Sequence, residues 1–436
     1  GIYLDNPYGM KSGDYEDFYT GNHNHSHGRA GTYLFSGYAK QMEEARNAMR
    51  VSNPESYLTY EQGAESYIGS ADSFGTAGMG MNSGFLTADN FKYFKSIPFS
   101  QSIYHEYAIV GPANVGPDYL KLGPYSNNYN YLTAAGAVVG GTLNDQEVIF
   151  DFGDDCMSFE ATKCYGDEAL ILEDHAKLIK SLIETRRNSS KFLIYGSLLR
   201  EPISYSPIQI IKLQDYSGRY YEVRDPEVLS SAWKSNDSKS GLYLINYNNK
   251  DKSISLDLKF NNLGLQSGIK YGLYKVLSDG YQNLTQASSN FSLTKSITPV
   301  TAEFFEFIKL PIYSNFNGQT TNFDTYPNII SVQSAILEKT GSGKIQFNQV
   351  INFEGLDLDN GVNISNNSVS IDSSKLPLLN TSATLYLYGL GFKTPGILKN
   401  GSACSLNECV IKDYKNGTLS FNITNSGNYS AVETES

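Results

Sequence analysis

The chain has 436 residues, a net charge of −11 and 18% charged residues, with 33 Tyr and 22 Phe against a single Trp. That length holds two or three domains. No Lys/Arg cluster or basic stripe interrupts the acidic balance, which removes the electrostatic footprint that a nucleic-acid partner needs. No run approaches the roughly 18 apolar residues of a membrane-spanning helix, and no signal-peptide pattern is present.

In chain order, residues 1–190 alternate apolar strands with amphipathic helices. GIYLD at 1–5 reads as a strand. Tyr33 to Arg50 places Leu34, Tyr38, Met42, Ala45 and Met49 at helical spacing, and Asn53-Pro54 ends that helix. SYLTYE at 56–61 is the next strand and IPFSQSIYHEY at 97–107 a third. TAAGAVVGG at 133–141 offers small residues for close packing, and Asp167 to Arg187 forms a long helix. Its buried side carries Leu170, Leu172, Leu178, Ile179, Leu182 and Ile183. Strands alternating with helices predict a parallel sheet.

From about Lys191 the apolar period switches to two. FLIYGSLL, IQIIKLQD, GLYLINYN, SISLDLKF, KYGLYKVL and FFEFIKL read as strands separated by Asn, Asp, Gly and Ser turns. After about Pro311 the pattern repeats in KIQFNQVINFEG, VNISNNSVSID, ATLYLYGLGF, ECVIKDY and GTLSFNIT. The expected fold class is α/β plus all-β: the C-terminal part of a (β/α)8 TIM-type barrel at 1–190, an antiparallel β-sandwich at 191–310, and a second, glycan-rich sandwich-like module at 311–436. A complete barrel takes about 250 residues. The remaining strands are therefore expected before Gly1, in a preceding segment or on a separate chain, and the Gly1 start predicts a processed form or a fragment.

Two predicted strands stop on a carboxylate, Asp5 and Glu61. In a (β/α) barrel the chemistry sits at the C-terminal ends of strands, so an acid there points to catalysis. Two such acids on neighbouring strands match glycoside hydrolysis, in which one carboxyl protonates the leaving oxygen and the other attacks or activates water. Tyr3, Asn6, Tyr60, Glu65, Tyr104 and His105 surround them in sequence as candidate substrate contacts. Glu65 also fits a cap on a helix that starts at Gln62, and His105 also fits a core histidine. If Glu61 is the acid, its pKa must rise by partial burial against Tyr60 or Tyr104. His23, His25 and His27 alternate in a Gly/Asn loop, a spacing that suits sugar hydroxyls, a metal ion or plain surface. Arg29 could fix a carboxylate. The Tyr/Asn run at 125–131 reads either as a stacking surface for sugar rings or as a plain loop. No metal and no cofactor is required.

The four Cys form two close pairs, Cys156/Cys164 and Cys404/Cys409, with none of the partners of a zinc site. Local disulfides in an oxidising compartment follow. Twelve Asn-x-Ser/Thr sites agree: Asn24, Asn188, Asn236, Asn283, Asn290, Asn363, Asn366, Asn380, Asn400, Asn416, Asn422 and Asn428. An extracellular or cell-surface location is expected.

The phrases YLDN at 3–6, His27-Gly28, YEQGAE at 60–65, IYHEY at 103–107 and GSLLR at 196–200 resemble an uncharacterised glycoside-hydrolase-like barrel family. That family is related in pattern to the endo-α-N-acetylgalactosaminidase group, a (β/α)8 barrel followed by a β-sandwich. The resemblance covers about residues 1–310 and implies Asp5 as nucleophile and Glu61 as acid/base. Its departure is the absent first half of the barrel. LNTSATLYLYGL and FNITNSGNYSAVE resemble C-terminal β-domains of secreted archaeal surface proteins.

The expected function is a secreted or cell-surface glycosidase, retaining, acting on a polysaccharide or glycoprotein glycan. The rival readings are a glycosylated structural or filament subunit on an inherited hydrolase scaffold, and sugar binding without turnover. Expected partners are the carbohydrate, the rest of the barrel and a homo-oligomeric or surface assembly.

Overall fold

The computed structural model describes residues 2–4, 32–56, 58–60, 73–74, 109–110, 127–139, 168–214 and 220–434. These residues are mostly β-sheet with few helices, and they divide into two compact units. The first unit comprises Gly1–Leu265 with Asn290–Phe305, and the second Gln266–Ser289 with Glu306–Ser436.

The chain opens with β1 (Ile2–Leu4), α1 (Thr32–Ser52), β2 (Leu58–Tyr60), β3 (Ser73–Phe74) and β4 (Ile109–Val110). The four strands are parallel, in the order β1-β2-β3-β4. The strand–helix–strand crossover expected from the sequence is therefore present. α1 ends where the sequence places its stop: Asn53 N donates to Met49 O, the Asn53 side chain accepts from Glu55 N, and Pro54 cannot extend the ladder. The strand expected at 97–107 lies outside the described residues, and β3 was not anticipated.

Next come α2 (Asn127–Val138), α3 (Glu168–Asn188) and the short α4 (Ser190–Leu193). The small-residue stretch at 133–141 thus belongs largely to a helix, with Ala134, Ala137 and Val138 buried. Phe192 and Leu193, expected in a strand, are buried in α4 instead. Gly196 then turns the chain so tightly that a Cβ there would lie 2.5 Å from Phe192 O and 2.6 Å from Lys234 O.

The following strands are β5 (Ser197–Leu198), β6 (Ile203–Ser204), β7 (Ile208–Gln214), β8 (Tyr220–Pro226), β9 (Val228–Lys234), β10 (Ser240–Asn246), β11 (Lys252–Leu258), β12 (Tyr271–Leu277), β13 (Gly280–Ala287), β14 (Phe291–Ile297) and β15 (Thr301–Lys309). In the first unit β15-β10-β9-β5 form one sheet, β14-β11-β6 another, and β7 pairs with β8 as a hairpin. β9 and β10 are covered on both faces. Tyr243 pairs across the sheet with Ser231, whose Oγ donates to Val138 O at the end of α2 (2.6 Å) and accepts from Trp233 Nε1 (2.8 Å). On the opposite face β9 lies against β11 and β10 against β14. α3 is held to β15 by hydroxyls: Ser181 Oγ accepts from Ala302 N (2.9 Å) and Thr185 Oγ1 donates to Ala302 O (3.1 Å).

In the second unit β13-β12-β15 form a sheet, and a two-sheet sandwich follows. Its strands are β16 (Ile336–Lys339), β17 (Gly343–Phe347), β18 (Val362–Ser365), β19 (Ser368–Ile371), β20 (Ala383–Leu387), β21 (Pro395–Lys399), β22 (Ser402–Ala403), β23 (Cys409–Lys415), β24 (Thr418–Ile423) and β25 (Asn428–Glu433). One sheet has the order β16-β17-β20-β24-β23, the other β18-β19-β25-β21-β22. Alternate residues point into a core built on Phe323, Phe347, Phe353, Leu385, Phe421 and Tyr429. The hairpins turn on Asn400-Gly401 and Asn416-Gly417, all four residues having positive φ. Asn-Gly is the pair that a two-residue β-hairpin turn favours.

Candidate functional site

The parallel strands end level with one another. Leu4 is opposite Tyr60, Tyr60 opposite Phe74, and Phe74 opposite Val110. Each of the four is the last residue of its strand, so one row closes the C-terminal edge of the sheet. In parallel sheets ligands bind beyond this edge, because the strand-to-helix loops converge there. The residues next in sequence are Asp5, Glu61, Gly75 and Gly111: two carboxylates and two glycines.

Of the sequence-nominated residues, Tyr3 sits in β1 opposite Thr59 and Tyr60 ends β2. Asp5, Asn6, His23, Asn24, His25, His27, Arg29, Glu61, Glu65, Tyr104, His105, Cys156 and Cys164 lie outside the described residues. Among the described residues no group of three or more His, Cys, Asp or Glu could hold a metal ion, and no helix is long and apolar enough to cross a membrane.

Buried polar groups tie helices α2 and α3 to each other and to neighbouring strands of the first unit. Two of them, Asn130 and Tyr131, belong to the Tyr/Asn run read from the sequence as a loop, which from Asn127 onward is helix α2 instead. His175 on α3 bonds through Nδ1 to Asn130 Oδ1 on α2 (2.9 Å), both fully buried. Burial lowers the His175 pKa to about 4, so the ring is neutral. One residue on, Tyr131 donates to Asp225 Oδ2 (2.9 Å), and its ring meets Tyr247 edge-on at 5.4 Å. Tyr247 donates to Pro226 O (2.8 Å), and the Gln209 amide reaches both the Tyr247 hydroxyl and Asn248 Oδ1 (3.1 Å). Burial and the Asp225 carboxylate raise the Tyr131 pKa, which keeps that phenol a donor. Each residue is an ordinary polar residue in sequence; only the fold gathers them.

In the second unit Cys404 and Cys409 are bonded to each other, with their Cα atoms 5.9 Å apart. Among the acceptor asparagines, Asn236, Asn290, Asn363, Asn366, Asn380, Asn400, Asn416 and Asn428 are exposed. Asn188, Asn283 and Asn422 are half-buried. The Asn283 amide nitrogen, the atom a glycan would occupy, donates to Tyr274 Oη (3.3 Å), Asp324 O (3.1 Å) and Tyr326 O (3.4 Å). A sugar on Asn283 would have to displace these bonds. Glu338, a buried carboxylate that the sequence did not nominate, accepts from Tyr388 Oη (3.0 Å) and from Gln319 N in a turn at Gly318. That glycine has φ +58°, and a Cβ on it would strike the Glu338 carboxylate.

A family model described as a domain of unknown function, DUF6259, matches residues 1–113. No curated protein matches the chain. Among solved structures the chain is similar to a β-L-arabinopyranosidase from Geobacillus stearothermophilus, at 7% identity over 62% of this chain and 54% of that one, with a TM-score of 0.28. It is similar to an α-galactosidase from Saccharomyces cerevisiae solved with raffinose, at 9% identity over 63% and 69% of the two chains, with a TM-score of 0.33. A smaller part resembles a Nup145N APD from Chaetomium thermophilum, at 15% identity over 22% of this chain and 81% of that one, TM-score 0.18. Two of these three are glycosidases, and the chain spans about half the length of the arabinopyranosidase. TM-scores this low define neither the fold nor the chemistry of the chain.

Proposed function

We propose that the chain is a secreted or cell-surface glycoside hydrolase whose N-terminal strands belong to a (β/α) barrel, with Asp5 as nucleophile and Glu61 as general acid/base. The observation that carries this reading is the level end of β1 and β2, paired Leu4 to Tyr60, with a carboxylate next in sequence on both strands. In the retaining reaction Asp5 attacks the anomeric carbon while Glu61 protonates the departing oxygen. Glu61 then takes a proton from the water that releases the sugar. Retention requires the carboxyl groups about 5–5.5 Å apart. The Cys404–Cys409 disulfide supports an oxidising compartment.

A panel of aryl glycosides and reducing-end-labelled oligosaccharides tests the proposal. Glu61→Gln is expected to lower kcat by about 10²–10⁴-fold on substrates with poor leaving groups, and far less on nitrophenyl glycosides, whose leaving group needs no proton. Asp5→Asn is expected to remove turnover of both. Undiminished activity in Asp5→Asn would overturn the assignment. Sugar binding by the wild type with no hydrolysis would favour the binding-protein reading.

A further inference from the structure

Near one end of the sandwich in the second unit, three side chains meet that chain order keeps apart. Lys399, the last residue of β21, directs Nζ to Asn425 Oδ1 (2.7 Å) and to Glu408 Oε1 (2.7 Å). The Asn425 side chain hydrogen-bonds Glu408 as well, so the carboxylate touches both the amine and the amide. Tyr429 closes the group from inside: fully buried, it donates to Asn425 O (2.7 Å) and lies 3.3 Å from Asn425 Oδ1. The Lys399 side chain is only 16% exposed, and its Nζ stands 6.0 Å from the centre of the Tyr429 ring.

Glu408 itself is 40% exposed, and its hydrogen bond from Lys399 holds its pKa below the usual carboxylate range, but a plain surface ion pair needs no third partner. A Lys–Glu contact is complete with two partners, and exposed pairs of that kind contribute little. Here the amine is instead held against an amide carbonyl, with a carboxylate bridging nucleophile and leaving group. The amide carbon lies one C=O bond, about 1.23 Å, beyond the oxygen that Nζ already contacts. That is within reach of the ~3–3.5 Å separation of reacting atoms in a near-attack arrangement.

We propose that Lys399 and Asn425 join through an intramolecular amide bond, with Glu408 as the proton carrier. Glu408 takes a proton from the Lys399 ammonium, which frees the nitrogen lone pair. Nζ attacks Asn425 Cγ, and the negative charge that develops on Oδ1 draws the single Tyr429 hydroxyl proton over from Asn425 O to Oδ1, 3.3 Å away. Tyr429 remains a donor because burial pushes its pKa up to about 12. The C–Nδ2 bond breaks as Glu408 delivers its proton to the departing nitrogen. The regenerated carboxylate then takes the second proton from Nζ and passes it to the ammonia, which leaves as ammonium while Glu408 ends ionised as it began. One alkylammonium and one primary amide become one secondary amide and ammonium, and no oxidant or external reactant is consumed. The bond ties β21 of one sheet to the loop after β24 of the other, closing the sandwich.

Intact mass of the full chain, expressed in a bacterial host that adds no N-glycans, reads this directly. The expected result is a species lighter than the disulfide-bonded sequence mass by one ammonia. Digestion should give a branched peptide joining the Lys399 and Asn425 segments, and trypsin should fail to cut after Lys399. Lys399→Arg, Glu408→Gln and Asn425→Ala should each return the full mass, and Lys399→Arg keeps the charge so that the fold is retained. A wild-type chain at full mass overturns the proposal. So does ammonia lost within a linear peptide, as at the Asn-Gly pairs 400–401 and 416–417, where succinimide formation removes the same mass.

Discussion

The central strands of the first unit and the strands of the sandwich in the second handle burial in opposite ways. Every residue of β10, from Ser240 to Asn246, is buried, and β9 is buried from Val228 to Trp233. In β24 burial alternates, with Leu419, Phe421 and Ile423 inside and their neighbours half-exposed. The difference is a count of layers. β9 and β10 have helix α2 on one face and β11 and β14 on the other, so both side-chain directions are enclosed. β24 belongs to a two-layer sandwich and turns one face to water. In three layers a polar residue must find an internal partner, as Ser231 does; in two layers it can simply point outward.

Paired substitutions break this comparison if it is wrong. In β10, Tyr243→Ala and Leu244→Ala lie on opposite faces and both should be severe, about 3–5 and 2–5 kcal/mol. Trp233, the only Trp and fully buried in β9, supplies the fluorescence signal for urea unfolding of that unit. A mild effect from either substitution would mean that one face is open. In β24, Phe421→Ala should cost about 3–5 kcal/mol while Ser420→Ala stays within about 0.5 kcal/mol. Hydrogen exchange of the peptides spanning β20, β23 and β24 would record it.

The helix layer carries its own pH signature. The His175 pKa is about 4 in the folded chain, below its unfolded value near 6.5. The unfolded state therefore binds the extra proton first. Stability from this group is complete above about pH 6.5 and falls by up to about 3 kcal/mol as pH drops to about 4. His175→Gln should flatten that part of the Trp233-monitored stability profile; an unchanged slope would place the titration elsewhere. Smaller than the His175 effect, reduction of Cys404–Cys409 should cost the second unit about 2 kcal/mol, because the bond spans a sequence separation of only 5 residues. Reduction that leaves hydrogen exchange unaltered would make the bond a bystander.

How much could be read beforehand follows from the same layering. SISLDLKF and GTLSFNIT announce themselves because alternation records one wet face, and β11 and β24 lie where those phrases place them. VLSSAWK does not, since Ser230 and Ser231 interrupt the apolar pattern while being buried. FLIY misled for the converse reason: a short apolar run fits a buried helical turn as well as a strand, and the tight turn at Gly196 decides for the turn. The carboxylates Asp5 and Glu61 were visible as abrupt strand ends. Lys399, Glu408 and Asn425 were not, because strand order, rather than sequence spacing, brings them together.

Strand β23 also bears on how the chain behaves in a crowd of its own kind. It is the outer strand of its sheet and shows Val410 and Ile411 to solvent side by side, a combination that invites another strand to add on. Two features work against such addition. The pairing with β24 slips between Ile411 and Asp413, which bends the strand just past the exposed pair. Lys412, Asp413 and Lys415 then set charges along the same border. The sheet thereby ends at its fifth strand, and concentrated chains meet at a kinked, charged margin in place of a flat template.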